Sequence, residues 1–142
     1  MGADPHDLGR FVAAQNAHGT YDDAVEELRQ GWKVSHWMWF VFPQIAGLGR
    51  SATSRRYAIT SLDEAQAYLD HPVLGPRLRA CTDLVLQVQG RSAEQIFGGI
   101  DAQKLHSCMT LFLRAAPGED RFQQVLDRYF GGRADASTDE RL

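Results

Sequence analysis

His36 is the residue of this chain best placed to exchange a proton, because it opens the run Trp37-Met38-Trp39-Phe40-Val41-Phe42, with Lys33 three residues before it and Gln44 just past its end. In a pocket walled by Trp37 or Trp39 it would serve as proton donor or acceptor. The competing reading is a helix-end histidine satisfying a backbone carbonyl. Gly47-Leu48-Gly49-Arg50-Ser51 then leads from a turn into a predicted helix start, where free amides and the helix dipole favour an anion and Arg50, Arg55 or Arg56 can add charge. It lacks the lysine of a phosphate loop, and its alternative is a solvated turn with surface arginines. Asp101, Lys104 and Ser107 follow at spacings of three and three, which puts Lys104 and Ser107 on one helical edge with Asp101 at the cap. If that edge faces the aromatic run, Lys104 can hold an anionic group while Ser107 donates a hydrogen bond; otherwise Lys104 is solvated and Ser107 packs against a neighbour. The candidate pocket is His36, Trp39, Gln44, Arg55 or Arg56, Lys104 and Ser107. Its expected ligand is a small anion bearing an aromatic or sugar group.

Other chemistries are set aside. The histidines at 6, 18, 36, 71 and 106 form no pair at helical ligand spacing and no Cys/His cluster, so a structural or catalytic zinc is not expected, and no cofactor is assigned. There is no Gly-x-Ser-x-Gly elbow. Cys81 and Cys108 each sit in a helical apolar pattern and read as buried reduced thiols, and His106, two residues before Cys108, points to another helical face. Tyr57, Tyr68 and Tyr129 read as core-edge anchors.

Charge gathers around the same stretch. From Leu28 to Leu62 there is no Asp or Glu, while Arg29, Lys33, Arg50, Arg55 and Arg56 supply five positive charges against a whole-chain net of −3. A cationic zone beside aromatics suits a modest anion, but this balance argues against general nucleic-acid binding. The longest apolar run, Trp37 to Phe42, is far too short for a bilayer, and the N-terminus has neither the positive nor the apolar region of a secretion signal. A cytoplasmic protein without membrane insertion is expected.

The elements that must position these residues read as helices throughout. Residues 32 to 42 hold all three tryptophans and five of the fourteen aromatics, which makes this stretch the expected core centre. No second run of β character exists to pair with it, so it is read as helical, ending before Pro43, with Ser35 as a candidate cap. Asp7 is expected to cap a first helix, and Thr20 with Asp23 a second that ends at Gly31. Ser51 opens a short helix, Ser61 with Glu64 another, and Leu78, Cys81, Val85 and Val88 mark a long one. Ser92 with Gln95 starts a short helix stopping at Gly98-Gly99, and Asp101 caps one with the stripe Leu105, Cys108, Phe112 and Ala115. Phe122, Val125, Leu126 and Tyr129 form the last apolar face. The expectation is an all-α, single compact domain of about seven to nine short and medium helices over residues 5–132, with 133–142 a frayed polar C-terminal tail.

The motifs His36-Trp37-Met38-Trp39-Phe40-Val41-Phe42-Pro43-Gln44, Gly47-Leu48-Gly49, His71-Pro72, Leu74-Gly75-Pro76-Arg77-Leu78, Ile96-Phe97-Gly98 and Lys104-Leu105, with Ser107-Cys108-Met109-Thr110-Leu111-Phe112, resemble the domain-of-unknown-function 1810 family. These are small bacterial, predominantly helical proteins sometimes labelled calpastatin. The resemblance covers nearly the whole chain and implies a fold, not a function. The calpastatin label finds no support, since such inhibitors are disordered and proline-rich, whereas this chain has five prolines and a core-forming composition. The residues point to binding of a nucleotide-like or ADP-ribose-like metabolite, with hydrolysis of a glycosidic or phosphoester bond as a further option by analogy alone. The alternative is a non-catalytic interaction module whose cationic, aromatic-rich surface meets a protein partner or a second copy of the chain.

Overall fold

Leu105, Cys108, Met109 and Phe112 recur at helical spacing on the longest helix, Gly99–Ala115, and all four are fully buried. In the computed structural model of the protein, which describes residues 3–142, four other helices pack on this one. In chain order the elements are α1 (Gly9–Asn16), a 3-10 turn (Ala17–Gly19), α2 (Thr20–Gln30), α3 (Met38–Val41), α4 (Ala52–Arg56), α5 (Leu62–Asp70), α6 (Leu74–Gln87), α7 (Ala93–Phe97), α8 (Gly99–Ala115), α9 (Asp120–Tyr129) and α10 (Ala136–Asp139). Helix α8 touches α5, α7, α9 and α10, and with so many neighbours it buries an unbroken run from Ser107 to Leu113. Helices α2 and α9 flank α6, whose stripe Leu78, Cys81 and Val85 is buried as its spacing predicts. The protein is all-α: among the described residues the β structure is one isolated parallel bridge, Ile45 to Ile59. No helix among them is long and apolar enough to cross a membrane.

The predicted caps are met in part. Ser51 accepts from the Ser54 amide, and Ser92 with Gln95 forms a complete reciprocal box. Ser61 accepts from Glu64, but the Glu64 carboxylate turns to Thr60 and, at 2.9 Å, to Arg10. Helix α1 is capped by Asp4 rather than Asp7, its two oxygens accepting from Leu8 and Gly9 at 2.7 and 2.8 Å. At α2 the boundary is Gly19, whose left-handed φ of 68° turns the chain, and the Thr20 hydroxyl bonds back to Ala17. Neither Ser35 nor Asp101 caps a helix. Trp37 precedes α3 without a side-chain cap, and α8 begins two residues before Asp101.

The C-terminal segment, expected as a frayed tail, is held by hydrogen bonds in this structure. Asp135 is buried and caps α10 by accepting from the Thr138 amide, while Arg114 holds Asp139 through two bonds of 2.9 Å. The segment carries no apolar stripe because it docks through hydrogen bonds, and this is why composition reads it as a tail.

Candidate functional site

The segment between α2 and α4 holds the aromatic run, and one carboxylate fixes its entry. Glu27 Oε1 accepts from the Val34 amide at 2.6 Å, the Ser35 amide at 2.8 Å and Trp37 Nε1 at 3.0 Å. Burial works to raise the Glu27 carboxyl, but these bonds outweigh it and hold it below its ordinary value. Trp37 is thereby seated in the core against Phe42 and Phe97, and α3 makes a single turn that leaves Trp39 at the surface. The chain then bonds to Ile59 on both sides of Ile45 and turns at Gly47, where φ is 96°. Gly49 lies so close to Ser54 and the Trp39 ring that a Cβ there would stand 2.5 Å from Ser54 Cβ and 2.9 Å from Trp39 Cη2. A side chain at Gly49 would push this wall out of place.

Trp39, Gln44, Leu48 and Gly49 form one side of a cleft of about 560 Å³, and the first turns of α8 with Asp135 and Ser137 form the other. Gln44 is 4% exposed, and among the described residues its Nε2 is the one buried side-chain polar atom without a hydrogen-bond partner. A buried donor left alone costs about 1–3 kcal/mol, a cost that an acceptor brought against Gln44 would remove. Opposite it, the Asp135 carboxylate takes Gln103 Nε2 at 3.2 Å, the Ser107 hydroxyl at 3.1 Å and the Thr138 hydroxyl at 2.6 Å. The Ser107 proton is thus already shared between Asp135 and the Gln103 carbonyl, which leaves Ser107 a wall residue that can accept but not donate freely.

Lys104 and Trp39 close one end, with the ammonium 4.5 Å from the ring centroid. Asp101 pairs with Lys104 at 3.0 Å and with Lys33 at 2.7 Å, so two cations share one carboxylate. Burial would raise the Asp101 carboxyl, but the hydrogen bonds and charges of both lysines hold it below the ordinary range. Beyond this wall lies a groove of about 380 Å³ lined by Lys33, His36, Met38, Phe40, Ser51 and Thr53.

Of the residues singled out in the sequence, Trp39, Gln44, Lys104 and Ser107 line one cleft, and His36 faces the adjoining groove. Arg55 and Arg56 line neither. They end the single turn of α4 on its exposed side, where Arg56 reaches the Tyr57 hydroxyl and its carbonyl accepts from Arg10 of α1. The cations beside the cleft are lysines, not arginines. Asp135 was not singled out; its signal is an Asp three residues before Thr138, the pattern of a helix cap. Both thiols are buried, and burial raises Cys81 to about 12, against the pull of Tyr21 and Arg77, and pushes Cys108 well up, away from the reactive thiolate. Among the described residues no three His, Cys, Asp or Glu side chains cluster as metal ligands would.

A family described as "Protein of unknown function (DUF1810)" matches residues 5–142. A crystal structure of a conserved hypothetical protein from Mycobacterium tuberculosis is similar over the whole fold, with a TM-score of 0.95 and 57% identity covering 98% of each chain. No curated protein matches the chain.

Proposed function

The chain belongs to the DUF1810 family, proteins of unknown function, and from the geometry of its cleft we propose that it binds a small anionic metabolite of the nucleotide-like or ADP-ribose-like kind. The observation that carries this reading is the Gln44 amide, buried and unpartnered in a cleft that Trp39 and Lys104 also line. A flat ring would find an apolar wall in Trp39 and Leu48, its acceptor would meet Gln44 Nε2, and an anionic group would meet Lys104. Thermal shift of the purified protein against nucleotides, NAD, ADP-ribose and sugar phosphates, followed by calorimetry, tests the proposal. A saturable rise in melting temperature is expected with one class of compound. It should vanish in Lys104→Ala, whose own folding cost should stay near 1 kcal/mol because the ion pair and ring contact are partly solvated.

A second reading has its own observation. Trp32 and Val34 bracket Lys33 at 64% and 69% exposure, and Ile100 beside Asp101 is 78% exposed. Large apolar groups next to an ion-paired cluster also suit a protein interface, with a partner or a second copy of the chain. Sedimentation of the wild type and of Trp32→Ser separates the two. Self-association lost in the variant, with no compound shifting the melting temperature, would replace the metabolite reading.

A further inference from the structure

Trp39 and Lys104 line both the 560 Å³ cleft and the 380 Å³ groove, so the wall between the two is itself a contact surface on each side. Resting on the reading of the larger cleft given above, we propose that the groove on the His36 side is a second subsite, taking the phosphate or diphosphate arm of a ligand whose ring occupies the larger cleft.

The charges support this division. Lys33 and Lys104 are 6% and 21% exposed at their side chains and share the single carboxylate of Asp101, so the triad carries one positive charge in excess. Lys33 spends one N–H on the Ser35 carbonyl and one on Asp101, and each ammonium keeps at least one proton for another acceptor. The groove has no acid besides Asp101. Its remaining polar lining is His36, Ser51 and Thr53, and the Ser51 oxygen, which accepts from the Ser54 amide, keeps its own proton to donate. A phosphate ester needs several donors and a local excess of cation, and the groove supplies both. The larger cleft differs. Its walls are mainly apolar, its acid Asp135 is already bonded to four donor groups, and its unpartnered donor is a buried neutral amide, which suits a ring and not a phosphate. A ligand linked at the level of Lys104 satisfies both compartments with one ammonium at the joint.

Adenosine and ADP-ribose, measured by calorimetry on the full chain, are the ring-only and ring-plus-anion probes. ADP-ribose is expected to bind at least about tenfold more tightly than adenosine, as charge-assisted hydrogen bonds to phosphate would produce. Thr53→Glu should erase that advantage and leave adenosine affinity unchanged, since Thr53 lines only the groove. The site is exposed in the first turn of α4, where a carboxylate is compatible with the helix. Thr53→Lys carries the opposite charge and should tighten ADP-ribose alone. Equal affinity of the two probes for the wild type, or ADP-ribose affinity indifferent to charge at position 53, would overturn the second subsite while adenosine binding upholds the cleft. Binding of neither probe would overturn both.

Discussion

A buried amide with no partner is a liability in the free protein, and Gln44 makes that liability measurable. Methionine has nearly the same length and no donor, so Gln44→Met removes the desolvation cost while keeping the packing. The variant is expected to gain about 1 kcal/mol in urea denaturation and to lose the ligand-induced thermal shift. A destabilised Gln44→Met that still binds would assign the amide to the scaffold. The sequence brought this residue forward because it follows the aromatic run, and the same reasoning singled out Trp39, Lys104 and Ser107, which line the same cleft. Spacing of three places Lys104 and Ser107 on one edge, but only the packing of α8 decides what that edge meets. Arg55 and Arg56 show the opposite case, since a cationic stretch in sequence carries no direction, and both lie exposed on α4 outside the lining of the cleft and the groove.

At the level of elements, the loop from Gly31 to Trp37 has little core of its own, with Trp32 and Val34 exposed, and depends on the Glu27 carboxylate at the end of α2. A carboxyl held below its unfolded value stabilises the fold above that unfolded value, and the contribution is lost as pH falls through the folded value. Glu27 and Asp101 are both lowered, so both loosen the same region in acid and neither does so on the alkaline side. Protection of the Val34 and Ser35 amides, taken relative to the intrinsic exchange rate at each pH, is expected to fall as the solution is taken below about pH 4.5, before protection in α8 changes. In Glu27→Ala these amides should exchange fast even at neutral pH, with a stability loss of about 1–3 kcal/mol. A uniform loss of protection across the protein would show that the clamp is not a local device. Caps of this kind divide by how local they are. Ser51 and Ser92 act on amides three residues on and are legible from spacing, whereas Glu27 reaches seven to ten residues forward and Asp4 caps from outside the expected position. No periodic pattern signals either.

For the whole molecule, the all-α architecture was legible because α5, α6, α8 and α9 each carry an apolar stripe at helical spacing, and these helices build most of the core. The end of the chain was not, because α10 is joined by polar contacts that composition cannot distinguish from a solvated tail. Asp135 bonds Ser107, Gln103 and Thr138, its own amide donates to Thr110 on α8, and Arg141 lies against Gly47 beside the opposite wall of the cleft. The C-terminal segment therefore joins α8 to the loop that carries Gln44, completing the cleft as well as the fold. Asp135→Ala would leave the buried hydroxyl and amide of Thr138 without acceptors, a loss of roughly 2–4 kcal/mol by the cost of unpaired buried donors. Denaturation should record that loss, and exchange at residues 136–139 should rise to that of an open chain. Ligand binding should fall with it, even at temperatures where α8 stays folded, because the wall opposite Gln44 would be released. Undiminished stability in Asp135→Ala would return residues 133–142 to the status of a tail and leave the cleft with one side too few.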